Sequence, residues 1–380
     1  MRISNNNREP HEQTRTKDIG KLVWFVVIFL FFNIQLPAEE ADHLAAFSDP
    51  ANLWKNNVER IIEEAYRQCF RTRIIGDRVM NIRLPFAMNN ERDMLLESKI
   101  PVIGDGKGSP EMLWELIEKI LDSDEFKEYI YALSSGREKV FIFDMVELKW
   151  TATTDIFIIS RMKSRNYKIL PHRPYVLTSG RGALESDVYN YLYCIGLVGI
   201  DCSGFVWHVL SYLAKEGGVD LGKELTPVIG APRGSAPSLY VGTAFFNSRS
   251  SQITAIEDKI ENLRPADILL FRDIGGTVSH SAVIQSIDTT KGIIRYLQCT
   301  NTSLPHERGV HESFIYFNPA NTSVSLKDSS LHWSKRRFPA FAGEDEPFAD
   351  DGERFRNKTG GGGRVVRLRP LIPIIEKLNE

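Results

Sequence analysis

An α+β fold with an antiparallel sheet is predicted by the order in which two periodicities run along the chain. Apolar residues first recur at helical spacing, from Asp49 to Leu133. Short apolar runs bounded by turn residues then dominate from Asp267 to Phe317, as neighbouring strands do. Between them, a helical stripe beginning at Asp201-Cys202 leads into the strand-rich part. Ordinary globular composition, 42% hydrophobic and 25% charged, over 380 residues suits one large domain or two of common size. With a formal net charge of −2 and mixed rather than clustered charges, nothing points to a nucleic-acid partner.

The chain opens with Arg2, Arg8, Arg15, Lys17 and Lys21 ahead of an apolar run from Leu22 to Phe32. A run of about a dozen apolar residues matches a signal-peptide core and is short for a spanning helix. Pro37-Ala38 before Glu39-Glu40 resembles a processing site, although Leu36 is larger than such sites prefer. Export is therefore expected, with residues 1–38 either removed or kept as an inner-membrane anchor through residues 22–36. Any membrane contact would run only through that uncleaved segment.

Asp49-Pro50 reads as a helix N-cap and first residue, followed by the stripe Trp54, Val58, Ile61, Ile62, Ala65, Tyr66 and Cys69. Ser109-Pro110 starts a second helix with Leu113, Leu116, Ile117, Ile120 and Leu121 inward, and Asp124 to Leu133 forms a third. Strands are expected at Val140–Val146, Asp155–Ile159 and Pro174–Leu177. A helix near Ala183–Tyr193 leads into the one starting at Cys202. Further strands fall at Asp267–Arg272, Ser281–Ile287, Ile293–Cys299 and Phe314–Phe317. These runs divide the chain into an N-terminal α+β region of unassigned role at 39–178, a strand-rich unit at 179–345 and a flexible tail at 346–380. The tail reading rests on its charge and on Gly360-Gly361-Gly362-Gly363, with Leu371–Leu378 able to dock as a short helix.

Chemistry concentrates at Cys202. From Phe205 the apolar residues Val206, Val209, Leu210 and Leu213 put this cysteine at a helix N-terminus, where unpaired N–H groups and the helix dipole favour a thiolate. Such a nucleophile needs a base and a group that orients the base. Of eight histidines, His280 opens an apolar strand, whereas His208 falls on the far side of the cysteine helix. Gln298, near the end of the next strand, can accept from an imidazole N–H and set its tautomer. His306 and His311 are the alternatives for that third place. Cys202 must stay free to act, Cys69 lies on an apolar helical face, and Cys194 with Cys299 is the one pair open to bridging.

Three blocks occur in one order: Asp201-Cys202-Ser203-Gly204-Phe205-Val206, Leu263-Arg264-Pro265-Ala266-Asp267-Ile268, and Ser279-His280-Ser281-Ala282-Val283-Ile284. Over roughly residues 183–320 they resemble the NlpC-type cell-wall peptidases, a family of papain-like cysteine hydrolases. The resemblance implies a papain-like core, with the nucleophile helix packed on an antiparallel sheet, for residues 179–345. It makes Cys202 the nucleophile, His280 the general base and acid, and Gln298 the place usually held by histidine. It also puts Tyr191 at the oxyanion, with Tyr189 and Tyr193 in the same run. Two departures stand out: the middle block has Pro-Ala-Asp for the usual Pro-Gly-Asp, and the interval from Cys202 to His280 is long. The extra chain falls in 217–262, where a lid or substrate wall is expected to bring Tyr240, Phe245 and Phe246 near a cleft.

What the resemblance implies is an exported enzyme of the periplasm or cell envelope that cuts amide bonds in peptidoglycan stem peptides. It implies no metal or organic cofactor. The competing expectations are a thiol amidase or acyltransferase of the same fold acting outside the wall, and an inactive binding or scaffold protein.

Overall fold

The computed structural model describes residues 56–76, 78–86, 109–134, 140–144, 149–153, 175–177, 188, 191–192, 199–230, 237–273, 275–300, 309–336, 345–347, 349–357 and 361–380. The apolar run 22–32, the helix start at Asp49-Pro50, the strand expected at 155–159, Tyr189, Tyr193, Cys194 and His306 lie outside these residues. All described residues belong to one compact unit, Asp49–Glu380, of mixed helix and strand. Among them, no helix is long and apolar enough to cross a membrane.

Helix α1 (Asn57–Arg67) is capped by Asn56, whose side chain accepts from the Glu59 N–H at 2.9 Å. It buries Val58, Ile61, Ile62 and Ala65, the stripe expected from their spacing. A hairpin, β1 (Phe70–Ile75) and β2 (Arg78–Arg83), follows. Helix α2 (Pro110–Leu121) starts where Ser109-Pro110 places it, with the Ser109 hydroxyl accepting from the Met112 N–H. Helix α3 (Asp124–Ser134) comes next, then a three-stranded antiparallel sheet of β3 (Val140–Asp144), β4 (Lys149–Thr153) and β5 (Tyr175–Leu177), ordered β4-β3-β5.

Helix α4 (Cys202–Glu216) leads to α5 (Leu221–Ile229) and the single turn α6 (Thr243–Phe246). The large sheet is built from β6 (Ile253–Ile256), β7 (Ile268–Arg272), β8 (Val278–Asp288), β9 (Ile293–Thr300), β10 (Gly309–Tyr316), β11 (His332–Arg336), β12 (Asp345–Pro347) and β13 (Arg364–Leu368). Its order is β12-β11-β10-β9-β8-β7-β13-β6, and every neighbouring pair is antiparallel. Helix α7 (Ala349–Arg356) lies between β12 and β13 in sequence, and α8 (Ile372–Asn379) ends the chain.

Alternation along the strands sorts this sheet into two apolar faces. On one, Val283, Leu297, Cys299 and Val366 join the core that holds α1, α2, α3 and α4. On the other, Phe271, Tyr296, Trp333 and Phe355 form a second cluster, with Phe355 supplied by α7. Side chains from residues 58–130 and 200–214 share the first core, so the chain has no independent unit ending at 178. Three polar ties reinforce that face: His208 Nε2 donates to the Ala65 carbonyl at 3.0 Å, Gln285 Nε2 to the Glu59 carbonyl at 3.0 Å, and Arg295 bridges Glu63 at 2.7 Å and Glu312 at 2.5 Å.

The C-terminal segment is not a flexible tail. Strand β13 lies inside the sheet, between β7 and β6, with Val365 and Val366 at most 1% exposed. Arg367 then clamps Asp267 through two hydrogen bonds of 2.6 and 2.8 Å. The glycines before it make the approach possible: Gly361 and Gly362 have φ of 92° and 76°, and a Cβ on Gly363 would stand 2.4 Å from the Phe355 ring. Helix α8 docks as its apolar spacing suggested, Asn57 Nδ2 donating to the Leu378 carbonyl at 2.9 Å. Much of 217–262 is likewise built into the fold, with Leu221, Leu225, Phe246 and Ile260 at most 2% exposed.

Candidate active site

Cys202 is the first residue of α4, and Asp201 is its N-cap. One carboxylate oxygen of Asp201 accepts from the Gly204 N–H at 2.6 Å and the other from the Ser203 hydroxyl at 2.6 Å. The acid of the Asp-Cys-Ser-Gly block therefore fixes the helix start, while the cysteine occupies the first turn, where backbone N–H groups point outward. Cys202 is 7% exposed. The apolar side chains that follow, Phe205, Val206, Val209 and Leu210, are fully buried and set the helix against β8 and β9.

His280 stands near the start of β8, beside a bulge. Phe271 pairs with His280 but Arg272 pairs with Val278, so Ser279 is an extra residue in the strand. Bulges of this kind turn a neighbouring side chain. The imidazole faces the Phe271 ring at 5.3 Å between centroids and is 5% exposed. Its Nε2 lies 2.6 Å from Gln298 Oε1. Gln298, on β9, donates from its amide nitrogen to Ser313 Oγ at 2.8 Å and to Asp351 Oδ2 at 2.9 Å. The Tyr296 hydroxyl donates to the same Asp351 oxygen at 2.9 Å.

The sequence-derived pair His280 and Gln298 thus meets through a direct hydrogen bond. His311 sits opposite Gln298 in the β9–β10 register, but its Nδ1 is engaged by the Gly309 carbonyl at 3.1 Å. Helix α4, which Cys202 opens, packs on the face of Val283, Leu297 and Cys299, opposite the face of Phe271 and Tyr296. Here the Cys299 thiol donates to the Ile200 carbonyl at 3.0 Å, holding the start of α4 to β9. That thiol is free, so Cys194 and Cys299 are not bridged. The Asp201 carboxylate raises the proton affinity of His280, the smallest of the influences on that imidazole.

Burial is the largest influence on His280 and pushes it down to about 4; the Arg354 guanidinium adds to this, while the Gln298 hydrogen bond and Asp201 oppose it. At neutral pH the imidazole is neutral, the form that accepts a proton. Arg354 is held by donating to Ser279 Oγ at 2.9 Å and lies 6.0 Å from the Phe271 ring. Asp351 and Arg354 both come from α7, inside the segment expected to be flexible. A local signal existed: Asp351, Arg354 and Phe355 recur at helical spacing.

Tyr191 is 1% exposed, its ring 5.0 Å from both Phe126 and Tyr129, and burial is the largest influence pushing its hydroxyl pKa up. These contacts tie the Tyr191 segment to α3. Phe245 and Phe246 are core residues on a turn packed against β7 and β8, and the Thr243 hydroxyl on that turn donates to the Val278 carbonyl at 3.4 Å. Asp267, from the Pro-Ala-Asp block, is fully buried and paired with Arg367, and it also accepts from the Arg264 N–H at 2.8 Å. Its role is to hold β13. Among the described residues no group of His, Cys, Asp and Glu has the arrangement of a metal site. No family model, no curated protein and no solved structure matches this chain.

Proposed function

We propose that this chain is an exported, papain-like cysteine hydrolase that cleaves amide bonds in peptidoglycan stem peptides. The observation that carries the reading is the alignment of three sequence-derived roles: a cysteine opening a helix, a buried neutral histidine at a strand start, and a glutamine bonded to that histidine. Burial and Arg354 disfavour a resting imidazolium, so His280 acts as a general base that takes the Cys202 proton during attack. The thiolate adds to the amide carbonyl and forms a tetrahedral oxyanion. The Cys202 backbone N–H, in the first turn of α4, stabilises it by about 3 kcal/mol, as a well-placed donor does. His280 then passes its proton to the leaving amine, and water releases the acyl group from the thioester. Tyr191 serves the fold in this scheme, because it is 1% exposed with its ring packed on Phe126 and Tyr129.

The test is incubation of the protein with purified sacculi and mass analysis of the released fragments. Peptide fragments that vanish with Cys202→Ala or His280→Ala are expected. Identical fragment patterns for wild type and Cys202→Ala would remove the wall substrate from consideration. Tyr191→Phe should keep kcat within about threefold, because the ring packing on Phe126 and Tyr129 is retained. A fall in kcat of about 100-fold at unchanged Tm would return Tyr191 to the oxyanion.

A further inference from the structure

We propose that Asp351 is a positioning residue for the Cys202–His280 pair, setting which imidazole nitrogen keeps the proton by setting which end of the Gln298 amide faces His280. The inference rests on Cys202 as nucleophile and His280 as base. An amide side chain has a donor end and an acceptor end of nearly the same shape, so its direction is decided by its surroundings. Asp351 is fully buried and receives donors from both Tyr296 and Gln298, each at 2.9 Å. The Arg354 guanidinium, one turn further along α7, comes within 4.0 Å of its other oxygen. The same Asp351 oxygen takes the Tyr296 hydroxyl and the Gln298 side chain as donors, so the Gln298 atom against it is the NH2 group.

The consequence passes along the side chain. With its nitrogen end committed to Asp351 and Ser313, Gln298 turns its carbonyl oxygen to His280 at 2.6 Å. A carbonyl oxygen only accepts, so His280 Nε2 carries the proton and donates. Nδ1 then keeps its lone pair and is the atom available to take a proton from the thiol. A reversed amide would place NH2 against Nε2, move the ring proton to Nδ1 and leave the base blocked. Three elements cooperate here: α7 orients a residue of β9, which orients a residue of β8. Without Asp351, Ser313 Oγ alone would meet the amide nitrogen, and a hydroxyl both donates and accepts.

The experiment is a long-range 1H–15N spectrum of the full chain labelled in histidine, with the His280 signals assigned by their loss in His280→Gln. Wild type should show the proton on Nε2. In Asp351→Asn, where residue 351 presents either a donor or an acceptor, a form with the proton on Nδ1 should appear. Alkylation of Cys202 by iodoacetamide should slow in parallel by about 100-fold, the lower end for loss of a positioned base. The double substitution Gln298→Glu, Asp351→Asn puts an acceptor-only group back against His280, and should return the proton to Nε2. A folded Asp351→Asn protein with the wild-type His280 signals overturns the proposal, as does a wild type protonated on Nδ1. If Asp351→Asn does not fold alone, Gln298→Glu sets two carboxylates face to face, and adding Asp351→Asn should raise its Tm; no rise also overturns it. A tautomer shift in a protein that cuts no sacculi keeps the positioning role and discards only the wall substrate.

Discussion

Two residues carry tensions that can be measured. Ala266 holds φ of 73°, the one positive φ at a non-glycine position among the described residues. Its block reads Pro-Ala-Asp, and the turn keeps a conformation that glycine takes without cost. The left-handed region costs an alanine about 1–2 kcal/mol, against which glycine loses part through its freer unfolded chain. Ala266→Gly should therefore raise stability by about 0.5–1 kcal/mol in denaturant melts. The second tension is His280, held down to about 4 by burial first and Arg354 second. Between an unfolded value near 6.5 and about 4, the unfolded chain binds a proton that the folded one excludes, so stability is full above that window and falls as pH drops through it. The loss amounts to about 3 kcal/mol by pH 4. Melts of His280→Gln should lack it. The acid limb of kcat/KM should sit correspondingly well below pH 6.5.

At the level of elements, the helices were legible because their signals are local. Ser109-Pro110 caps α2 where expected, and Asp201 starts α4 by accepting from the third residue's N–H. Strands β7, β8 and β9 were found from short apolar runs close in sequence. Strand β13 was missed for a physical reason: Arg364 to Leu368 is short, follows glycines and finds its partners nearly a hundred residues away. Its hold on the sheet is the buried pair of Arg367 with Asp267, whose carboxyl is nonetheless raised by burial. Arg367→Ala should cost about 3–5 kcal/mol, the usual cost of orphaning a buried partner. A Tm within a degree or two of wild type would show that the pairing of β13 with β6 and β7 suffices without it.

Across the whole molecule, the core decides what counts as a domain. Helix α1 lies against α4, and β13 lies inside the sheet, so the strand-rich stretch 179–345 is missing a wall and an internal strand when taken alone. Expressed as 179–345 it should show no cooperative unfolding transition, whereas residues 49–380 should melt as one unit; a sharp melt of the short fragment would restore the boundaries at 178 and 345. The sequence by itself determined the mixed helix-and-strand class, the helix that Cys202 opens, and His280 with Gln298 as neighbours on adjacent strands. Those features follow from periodicity, capping and strand order, which act over a few residues. Only the tertiary structure decided that Asp351 stands behind Gln298 and Arg354 beside Ser279, that Tyr191 packs on Phe126 and Tyr129, and that the last residues complete the sheet. Each of those depends on burial between segments far apart in sequence, where a charged or glycine-rich stretch gains partners that its own composition does not announce.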